Sequence, residues 1–325
     1  MQFFNAEAIS VLLPMDTAIA TMRTAMVSVS SQTVSMLPRV IAPLAGASGH
    51  LGVMIASATS PAIFGVKVVS LLPNNPANGL PLIQGILLLF NSINGMPLAG
   101  FDGAAVTATR TAAASGLATQ LLSREHARSH GILGTGPQAY MHAIAILAAR
   151  PELDVSWIWG RDRAKANRLA DRLGKDTGRE FRVAATAEEA CNQDIISTTT
   201  SSQTPVLEGR WIRPGTHINL VGSHHPSARE ADTLAVSQAS VFVDHLPSTL
   251  VEAGDILIPV AEGAFDTADI MGEIGSVATG AIPGRLRDDE ITLYKSLGVA
   301  AQDVFAAWAI LEATAKPEGN PARPS

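Results

Sequence analysis

The stretch Gly131-Ile-Leu-Gly-Thr-Gly-Pro-Gln-Ala139 decides the fold of this chain. Its second part has the pattern GxGxxA, placed where a short apolar strand leads into a helical segment. Gly134 permits a tight turn, Gly136 lets a pyrophosphate approach the backbone, and Ala139 permits close packing of helix on strand. The N-terminus of the helix offers free N–H groups to the phosphates. The stretch therefore predicts a dinucleotide-binding βαβ unit.

Short strands and helical segments alternate around and after this loop. Gly131–Leu133 is predicted as a strand, Gln138–Ala149 as a helix, Val155–Trp159 as a strand and Arg163–Leu173 as a helix. Four further strands are predicted at Phe181–Val183, Asp194–Thr198, His217–Val221 and Val241–Asp244. Such alternation is typical of a parallel sheet with helices on both faces. We therefore expect an α/β fold with a Rossmann-type parallel sheet domain.

The first hundred residues have a different pattern. Residues 1–30 are predicted to be helical, whereas residues 34–100 contain short apolar runs separated by Gly, Pro and Asn, as strands are. Asn94-Gly95 is predicted to close a hairpin. Further helices are expected over Val106–Leu122 and Leu297–Lys316. The pattern changes near residues 120–130 without a Gly/Ser linker, which predicts two closely packed domains.

Composition excludes several classes of function. The chain has 325 residues, enough for about two domains, and 47% of them are hydrophobic, far too many for a disordered protein. A net charge of −6 without a basic stripe argues against nucleic acid as the partner. The single cysteine excludes an intrachain disulfide and is typical of a cytoplasmic protein. The most apolar stretch, Gly79–Gly100, is interrupted by Gly, Pro and Asn, so we do not expect it to span a membrane.

The residues after the second predicted strand bear on the choice of cofactor. An acid at the end of this strand usually binds the ribose hydroxyls of NAD(H), whereas Arg suits the 2′-phosphate of NADP(H). Gly160 occupies the expected acid position, and Arg161 and Arg163 flank it. Asp162 either reaches the ribose or caps the helix that follows. The pattern favours NADP(H), with NAD(H) as the alternative.

Three cations stand out in the otherwise apolar first part of the chain. Arg39 follows a proline, Lys67 lies inside a predicted strand, and Arg110 lies near the start of a predicted helix. Isolated cations in apolar surroundings are costly unless they are paired. With no evident local acid, the three together predict a binding site for a substrate carboxylate. The alternatives are solvent-directed side chains or a structural pair between Arg110 and Asp102.

Several motifs identify a family. GVKVVSLLPNNPANGLP, FDG at 101–103, TATRTAAASGLAT, GILGTGPQA and ITLYKSLGVAAQD closely resemble the ornithine cyclodeaminase/mu-crystallin family, over nearly the whole chain. The resemblance implies a homodimeric enzyme that transfers hydride between a nicotinamide and an imine carbon next to a carboxylate. It also implies an α+β substrate and dimerisation domain, formed by residues 1–120 and 296–325, around a Rossmann-type domain of residues 121–295.

The resemblance also implies roles for particular residues. Arg39, Lys67 and Arg110 match the residues that bind the substrate carboxylate, and Lys67 is also a catalytic candidate. The candidate cofactor contacts lie on the loops that follow the strands of the Rossmann-type domain. They are Gly134, Thr135, Gly136, Gln138, Ala139, Arg161, Arg163, Thr199, Thr200, Gly222, Ser223, Lys295 and Ser296.

The loop after residue 221 departs from the cyclodeaminases. These enzymes carry an aspartate two positions after the equivalent of Gly222, where this chain has His224. A second carboxylate of the cyclodeaminases, in the segment that matches Leu51–Ala56, is also absent. His224 is therefore a catalytic candidate that holds or donates a proton. The alternatives are a contact with the nicotinamide ribose and a polar turn before Pro226; two adjacent histidines without further ligands do not predict a zinc site.

The missing acids favour a substrate with one carboxylate and one nitrogen. We expect a ketimine reductase that converts Δ1-pyrroline-2-carboxylate to L-proline, and Δ1-piperideine-2-carboxylate to L-pipecolate, with NADPH. Three alternatives stay open: an ornithine or lysine cyclodeaminase, an alanine dehydrogenase or opine-type reductase acting on an open-chain keto acid, and a binding protein that holds NADPH without reducing imines. The three cations argue against the last, because a binding scaffold has no evident need for them.

Overall fold

Two sheets organise the computed structural model, which describes residues 1–46 and 48–315. The first part of the chain forms a mixed sheet with three helices. Its elements are β1 (Gln2–Phe4), α1 (Ala6–Leu12), α2 (Met15–Ser30), β2 (Val34–Met36), β3 (Val40–Pro43), β4 (His50–Ala58), β5 (Ile63–Leu71), β6 (Ile83–Asn91), β7 (Pro97–Asp102) and α3 (Gly103–Leu122). The strand order is β1-β7-β6-β5-β4-β2, and β3 also pairs with β4.

The second sheet has eight strands, all parallel to their neighbours. Its elements are β8 (Ser129–Leu133), α4 (Pro137–Ala149), β9 (Val155–Trp159), α5 (Arg163–Thr177), β10 (Phe181–Val183), α6 (Ala187–Cys191), β11 (Ile195–Thr198), β12 (His217–Leu220), α7 (Thr233–Ser237), β13 (Ser240–Val243), α8 (Leu246–Glu252), α9 (Gly254–Ala261), β14 (Ile270–Glu273), α10 (Ile274–Thr279) and β15 (Thr292–Lys295), followed by α11 (Ala300–Ala315). The strand order is β10-β9-β8-β11-β12-β15-β13-β14. The predicted α/β fold with a parallel sheet domain is confirmed.

Local signals explain where several elements begin. Asp102 accepts hydrogen bonds from the N–H groups of Ala104 and Ala105, both at 2.9 Å, and so caps α3. The suggested pair between Arg110 and Asp102 is therefore wrong. Asn94-Gly95 closes the β6–β7 hairpin as predicted, with Gly95 at a φ of +73°.

The prediction that residues 1–30 are helical is only partly correct, because the first of these residues form a strand. Strand β1 occupies Gln2–Phe4 and pairs in parallel with β7, and the chain then forms two helices separated near Pro14. A strand of three residues is too short to show a recognisable alternation of apolar and polar side chains. Its extended conformation depends on pairing with β7, and the sequence of the segment itself does not indicate this pairing. For the same reason the short strands β2, β3, β14 and β15 are not evident from the sequence.

Helix α3 lies between the two sheets and is buried along most of its length. It packs against α2 and α4 and also contacts β12 and β15 of the second sheet. The final helix α11 packs against α2, α3, β4 and β5, so it returns to the first sheet. This packing agrees with grouping residues 296–315 with residues 1–120, although that division, and the part of it beyond residue 315, stays a prediction.

No helix within residues 1–46 and 48–315 is long and apolar enough to cross a membrane. Over the same ranges, no three His, Cys, Asp or Glu side chains come together in a way that could hold a metal ion.

Candidate active site

The glycine-rich loop lies at the carboxyl end of β8, where the strand order reverses between β8 and β11. Such a switch point in a parallel sheet is where ligands bind. Gly134 has a φ of +132°, and a side chain there would meet Thr199 Oγ1 at 2.5 Å, so only glycine fits. At Gly136, in contrast, an added methyl group would meet nothing within 4 Å.

The start of α4 completes an open cradle for phosphate. No side chain caps this helix, whose first residue is Pro137. Its first N–H groups, which have no partner within the helix, therefore remain available to an anion. Gln138 lies in the first turn of this helix, and its side-chain NH2 group is a donor that suits a phosphate oxygen. The residues present thus fit the pyrophosphate of a dinucleotide.

The end of β9 explains the glycine at the expected acid position. A side chain at Gly160 would lie 2.5 Å from Thr135 Cγ2, so the packing of these two loops leaves no room for an acid. Asp162 accepts a hydrogen bond from the N–H of Lys165 at 3.1 Å and so caps α5. Arg161 and Arg163 are both exposed beside the loop.

A buried carboxylate, Glu230, connects the loops that follow β11 and β12. Its Oε1 accepts hydrogen bonds from the backbone N–H and the hydroxyl of Thr200, at 2.6 and 2.7 Å. Its Oε2 accepts from the hydroxyl of Thr198 at 2.7 Å and from the N–H of Gly222 at 2.5 Å. Burial raises the pKa of this carboxyl, although the threonine hydroxyls oppose the shift. Thr200 and Gly222, predicted as cofactor contacts, therefore already bind Glu230.

Lys295, the last residue of β15, is fully buried. Its ammonium donates to the carbonyl of Ser223 at 2.6 Å and to Asp255 Oδ2 at 2.8 Å, while Asp255 Oδ1 accepts the N–H of Glu230 at 2.7 Å. The ammonium of Lys295, which was predicted as a cofactor contact, has no exposed surface and supports the loop at Ser223. Ser296 is also buried, and its hydroxyl has no partner among the described residues.

Lys67 and Arg110 come together from different elements. Lys67, on β5, donates to Asp303 Oδ1 at 2.8 Å and to Thr107 Oγ1 at 3.0 Å. Arg110, on α3, donates through Nε to Asp303 Oδ1 at 2.9 Å and through Nη1 to Gln302 Oε1 at 2.7 Å. Both cations and Asp303 are nearly inaccessible to solvent. Nη2 of Arg110 makes no hydrogen bond within the described residues.

Arg39 reaches the same region from the segment between β2 and β3. Its Nη2 donates to the carbonyls of Leu297 and Gly298, at 2.9 and 2.8 Å, and its Nε lies 3.0 Å from Glu252 Oε2. Asp244 holds the other side of these two peptides, because its Oδ2 accepts the N–H groups of Leu297 and Gly298, each at 2.7 Å. The turn after β15 thus links Arg39 to the second sheet.

Each of the three cations has an acid partner that is distant along the chain. Asp303 neutralises part of the charge of Lys67 and Arg110, and Glu252 faces Arg39. These acids are missed by sequence reasoning because they lie about 200 residues or more away along the chain. One signal was present: Asp303 is the first acid of a mostly apolar helical segment and lies inside the motif ITLYKSLGVAAQD.

The environment of Lys67 lowers its pKa from 10.5 to about 8. Burial is the main cause, and Arg110 and Arg39 add to it, whereas the charge and hydrogen bond of Asp303 act in the opposite direction. A lysine with this pKa is mostly protonated at neutral pH yet gives up its proton readily.

His224 lies at the mouth of the site, on the loop between β12 and α7. The ring keeps contact with solvent, but the surrounding protein removes much of its hydration, and Arg39 and Lys295 disfavour its charged form. Together they lower its pKa from 6.5 to about 4. His224 is therefore neutral at pH 7, which corrects the expectation of an imidazole that titrates near neutrality.

Comparison with known proteins places this site in a family. The family model described as the ornithine cyclodeaminase/mu-crystallin family matches residues 2–318. A Δ1-pyrroline-2-carboxylate reductase from Bacillus cereus is 39% identical over 245 residues, 75% of each chain. The ketimine reductase mu-crystallin of Rattus norvegicus is 36% identical over 270 residues, 83% of this chain and 82% of its own.

A solved structure is also similar over nearly the full length. Thermococcus litoralis Δ1-pyrroline-2-carboxylate reductase, in complex with NADH and L-proline, superposes with a TM-score of 0.93 at 33% identity, over 97% of this chain and 98% of that one. The structural superposition and the match to the family model lead to the same conclusion. The chain belongs to the ornithine cyclodeaminase/mu-crystallin family.

Proposed function

We propose that this protein is an NAD(P)H-dependent ketimine reductase, which reduces Δ1-pyrroline-2-carboxylate to L-proline and Δ1-piperideine-2-carboxylate to L-pipecolate. The observation that carries the proposal is the cluster of Arg39, Lys67 and Arg110 at the carboxyl edge of the parallel sheet, next to the turn after β15. Relatives with this activity, and a similar structure that holds NADH and L-proline, support it.

The cofactor and the substrate would meet along one edge of the sheet. The cradle at Gly134 and Gly136 would hold the pyrophosphate at β8, and β15 lies three strands away, about 14 Å. A dinucleotide that extends along this edge brings its nicotinamide towards the cations. When bound in reduced form, it supplies a hydride for the imine carbon.

The side chains of the chain itself would perform the remaining steps. Arg110 and Arg39 would bind the substrate carboxylate through the N–H groups not used within the protein, as guanidinium groups do well, and the Lys67 ammonium beside Arg110 would contribute a third contact. This contact orients the imine carbon towards the cofactor. Lys67, with its pKa of about 8, supplies the proton that the ring nitrogen needs when the carbon receives hydride. Neutral His224 hydrogen-bonds at the mouth of the site and limits access of water.

The direct test is to mix the protein with NADPH or NADH and each cyclic imine, and to follow loss of the reduced nicotinamide's absorbance. Oxidation with formation of L-proline or L-pipecolate is the expected result. No oxidation with either ring would refute the proposal, and ammonia release from ornithine with NAD⁺ would instead identify a cyclodeaminase. Reduction of pyruvate with ammonia, but not of the cyclic imines, would identify an alanine dehydrogenase.

We further propose that NADPH is preferred over NADH. Support comes from the packing of Gly160 on Thr135, which excludes an acid, and from the exposed Arg161 and Arg163 beside the loop. The double variant Arg161→Ala/Arg163→Ala should weaken NADPH binding about tenfold or more and leave NADH binding nearly unchanged, since each phosphate contact contributes about 1.5–3 kcal/mol. Arg168→Ala, an exposed arginine further along α5, is the control. Equal losses for both cofactors would contradict this preference.

The outer face of the first sheet supports a homodimer. Three apolar side chains lie near one another on adjacent strands of this face, Ile55 on β4, Val68 on β5 and Ile86 on β6. They are 38%, 37% and 42% exposed and lie beside the stacked rings of Phe64 and Phe90. An apolar sheet face of this kind is typical of a subunit interface. We propose that a second copy covers it. Light scattering should give a dimer for the wild type and a monomer for Val68→Asp.

A further inference from the structure

One carboxylate connects the two most deeply buried cations of the site. Asp303 lies in the first turn of α11, and its Oδ1 accepts from Lys67 Nζ and from Arg110 Nε, while Oδ2 lies 2.7 Å from the same Nζ. Burial alone would raise the pKa of Asp303, but Arg110 and Lys67 outweigh it and lower the pKa below its ordinary value. The carboxylate is therefore ionised at neutral pH.

Asp303 also determines which parts of Arg110 are free. The guanidinium is held at Nε by Asp303 and at Nη1 by Gln302, the preceding residue of the same helix. Nη2 is left without a partner within the described residues. A planar guanidinium fixed at two corners keeps its third corner in a defined place, so the helix that carries Asp303 orients the group that meets the ligand.

The formal charges of the site leave room for one anion. Within the buried cluster, Lys67 and Arg110 contribute two positive charges, and Asp303 contributes one negative charge. The remainder, a single positive charge, matches one carboxylate. Loss of Asp303 would leave two cations facing each other in buried surroundings, which favours loss of the proton from Lys67.

We propose that Asp303 is a positioning residue, which holds the Lys67 ammonium and the Arg110 guanidinium side by side so that they bind one substrate carboxylate. The inference rests on the proposed function only in taking a carboxylate acid as the ligand. No hydride transfer is needed to test it.

The charge of Lys67 provides a readout that a merely structural role would not change. The charged groups that face it are Asp303 from α11, Arg110 from α3 and Arg39 from the segment between β2 and β3. Of these, only Asp303 raises the pKa of Lys67. The affinity for a carboxylate should fall as the pH rises through about 8, where Lys67 loses its charge. Removal of the negative charge should move this fall to lower pH.

The experiment measures binding of pyrrole-2-carboxylate by calorimetry between about pH 6 and 9.5, with NADP⁺ at saturation. In Asp303→Asn, the fall in affinity should begin at a pH at least about one unit lower than in the wild type. Asp194→Asn is the matched control, because Asp194 pairs with Arg124 and Arg213 at the opposite edge of the sheet. An unchanged pH dependence in Asp303→Asn, or an equal shift in the control, would overturn the proposal.

A second variant covers the case in which Asp303→Asn does not fold. Asp303→Glu keeps the charge but moves the carboxylate by one methylene, so it should retain the pH dependence of the wild type while binding at least about tenfold more weakly at every pH. Wild-type affinity in this variant would refute the positioning role. Because these titrations do not need turnover, an enzyme that reduces no imine but shows these shifts would refute the proposed function alone.

Discussion

Gly298 offers a sharp test of how the turn after β15 places Arg110. Its φ is +77°, and a methyl group there would lie 3.0 Å from both Cζ and Nη2 of Arg110, and closer still to Nη1. The backbone cannot turn away, because Asp244 holds the N–H of Gly298 and Arg39 holds its carbonyl. In Gly298→Ala the guanidinium must therefore move.

The structure separates two contributions to the effect of this substitution. An alanine with positive φ costs roughly 1–2 kcal/mol of folding free energy. Displacement of Arg110 removes a charge-assisted hydrogen bond to the ligand, about 1.5–3 kcal/mol, which corresponds to an affinity loss of about 10- to 100-fold. Gly280→Ala isolates the first contribution, because Gly280 has the same φ of +77° and nothing within 4 Å of an added methyl group.

The assay combines calorimetric binding of pyrrole-2-carboxylate and of NADP⁺ with thermal unfolding of both variants. We expect Gly298→Ala to lose carboxylate affinity and to keep its cofactor affinity within about twofold, whereas Gly280→Ala loses only stability. Carboxylate binding as tight in Gly298→Ala as in the wild type would show that Arg110 does not occupy the binding position assigned to it. Equal losses in the two variants would show that backbone strain alone is responsible.

Three further predictions address the other parts of the site. Arg110→Ala should raise the KM for the imine about tenfold or more, because a charge-assisted hydrogen bond is lost. NADPH affinity, measured by fluorescence titration, should stay within about twofold of the wild type. A parallel loss of both affinities would indicate a structural role. Glu230→Gln should weaken NADPH binding about tenfold and lower the midpoint of thermal unfolding. Glu230 accepts hydrogen bonds from N–H and hydroxyl groups, and the NH2 group of glutamine cannot accept them. Unchanged NADPH affinity and an unchanged midpoint would contradict the organising role of Glu230. His224→Ala should lower kcat several-fold but keep the shape of the pH profile between about pH 6 and 9, because the pKa of His224 is about 4; a lost limb within that range would show that His224 titrates there.

Much of the second sheet followed from the sequence. Strands Val155–Trp159 and Phe181–Val183 were predicted with the bounds that the structure shows, and the helix that begins at Arg163 was predicted with its correct start. Strand β15 was not, although it lies between β12 and β13. Its four residues follow a long loop, and only the two neighbouring strands make them part of the sheet.

The glycine-rich loop and the cations of the first part illustrate what a sequence by itself determines. Turns, caps and the approach of a phosphate to Gly136 depend on residues within a few positions, so their signals are local. Unpaired cations in apolar surroundings also predict that a partner must exist, because burial of a lone charge is so costly.

Only the tertiary structure decided which partners these are. Asp303 reaches Lys67 and Arg110 across separations of 236 and 193 residues, and Glu252 meets Arg39 in the same way. The same packing lowers the pKa of Lys67 to about 8 and that of His224 to about 4. Desolvation and ion pairing depend on every element that surrounds a group, and no pattern within one segment records them.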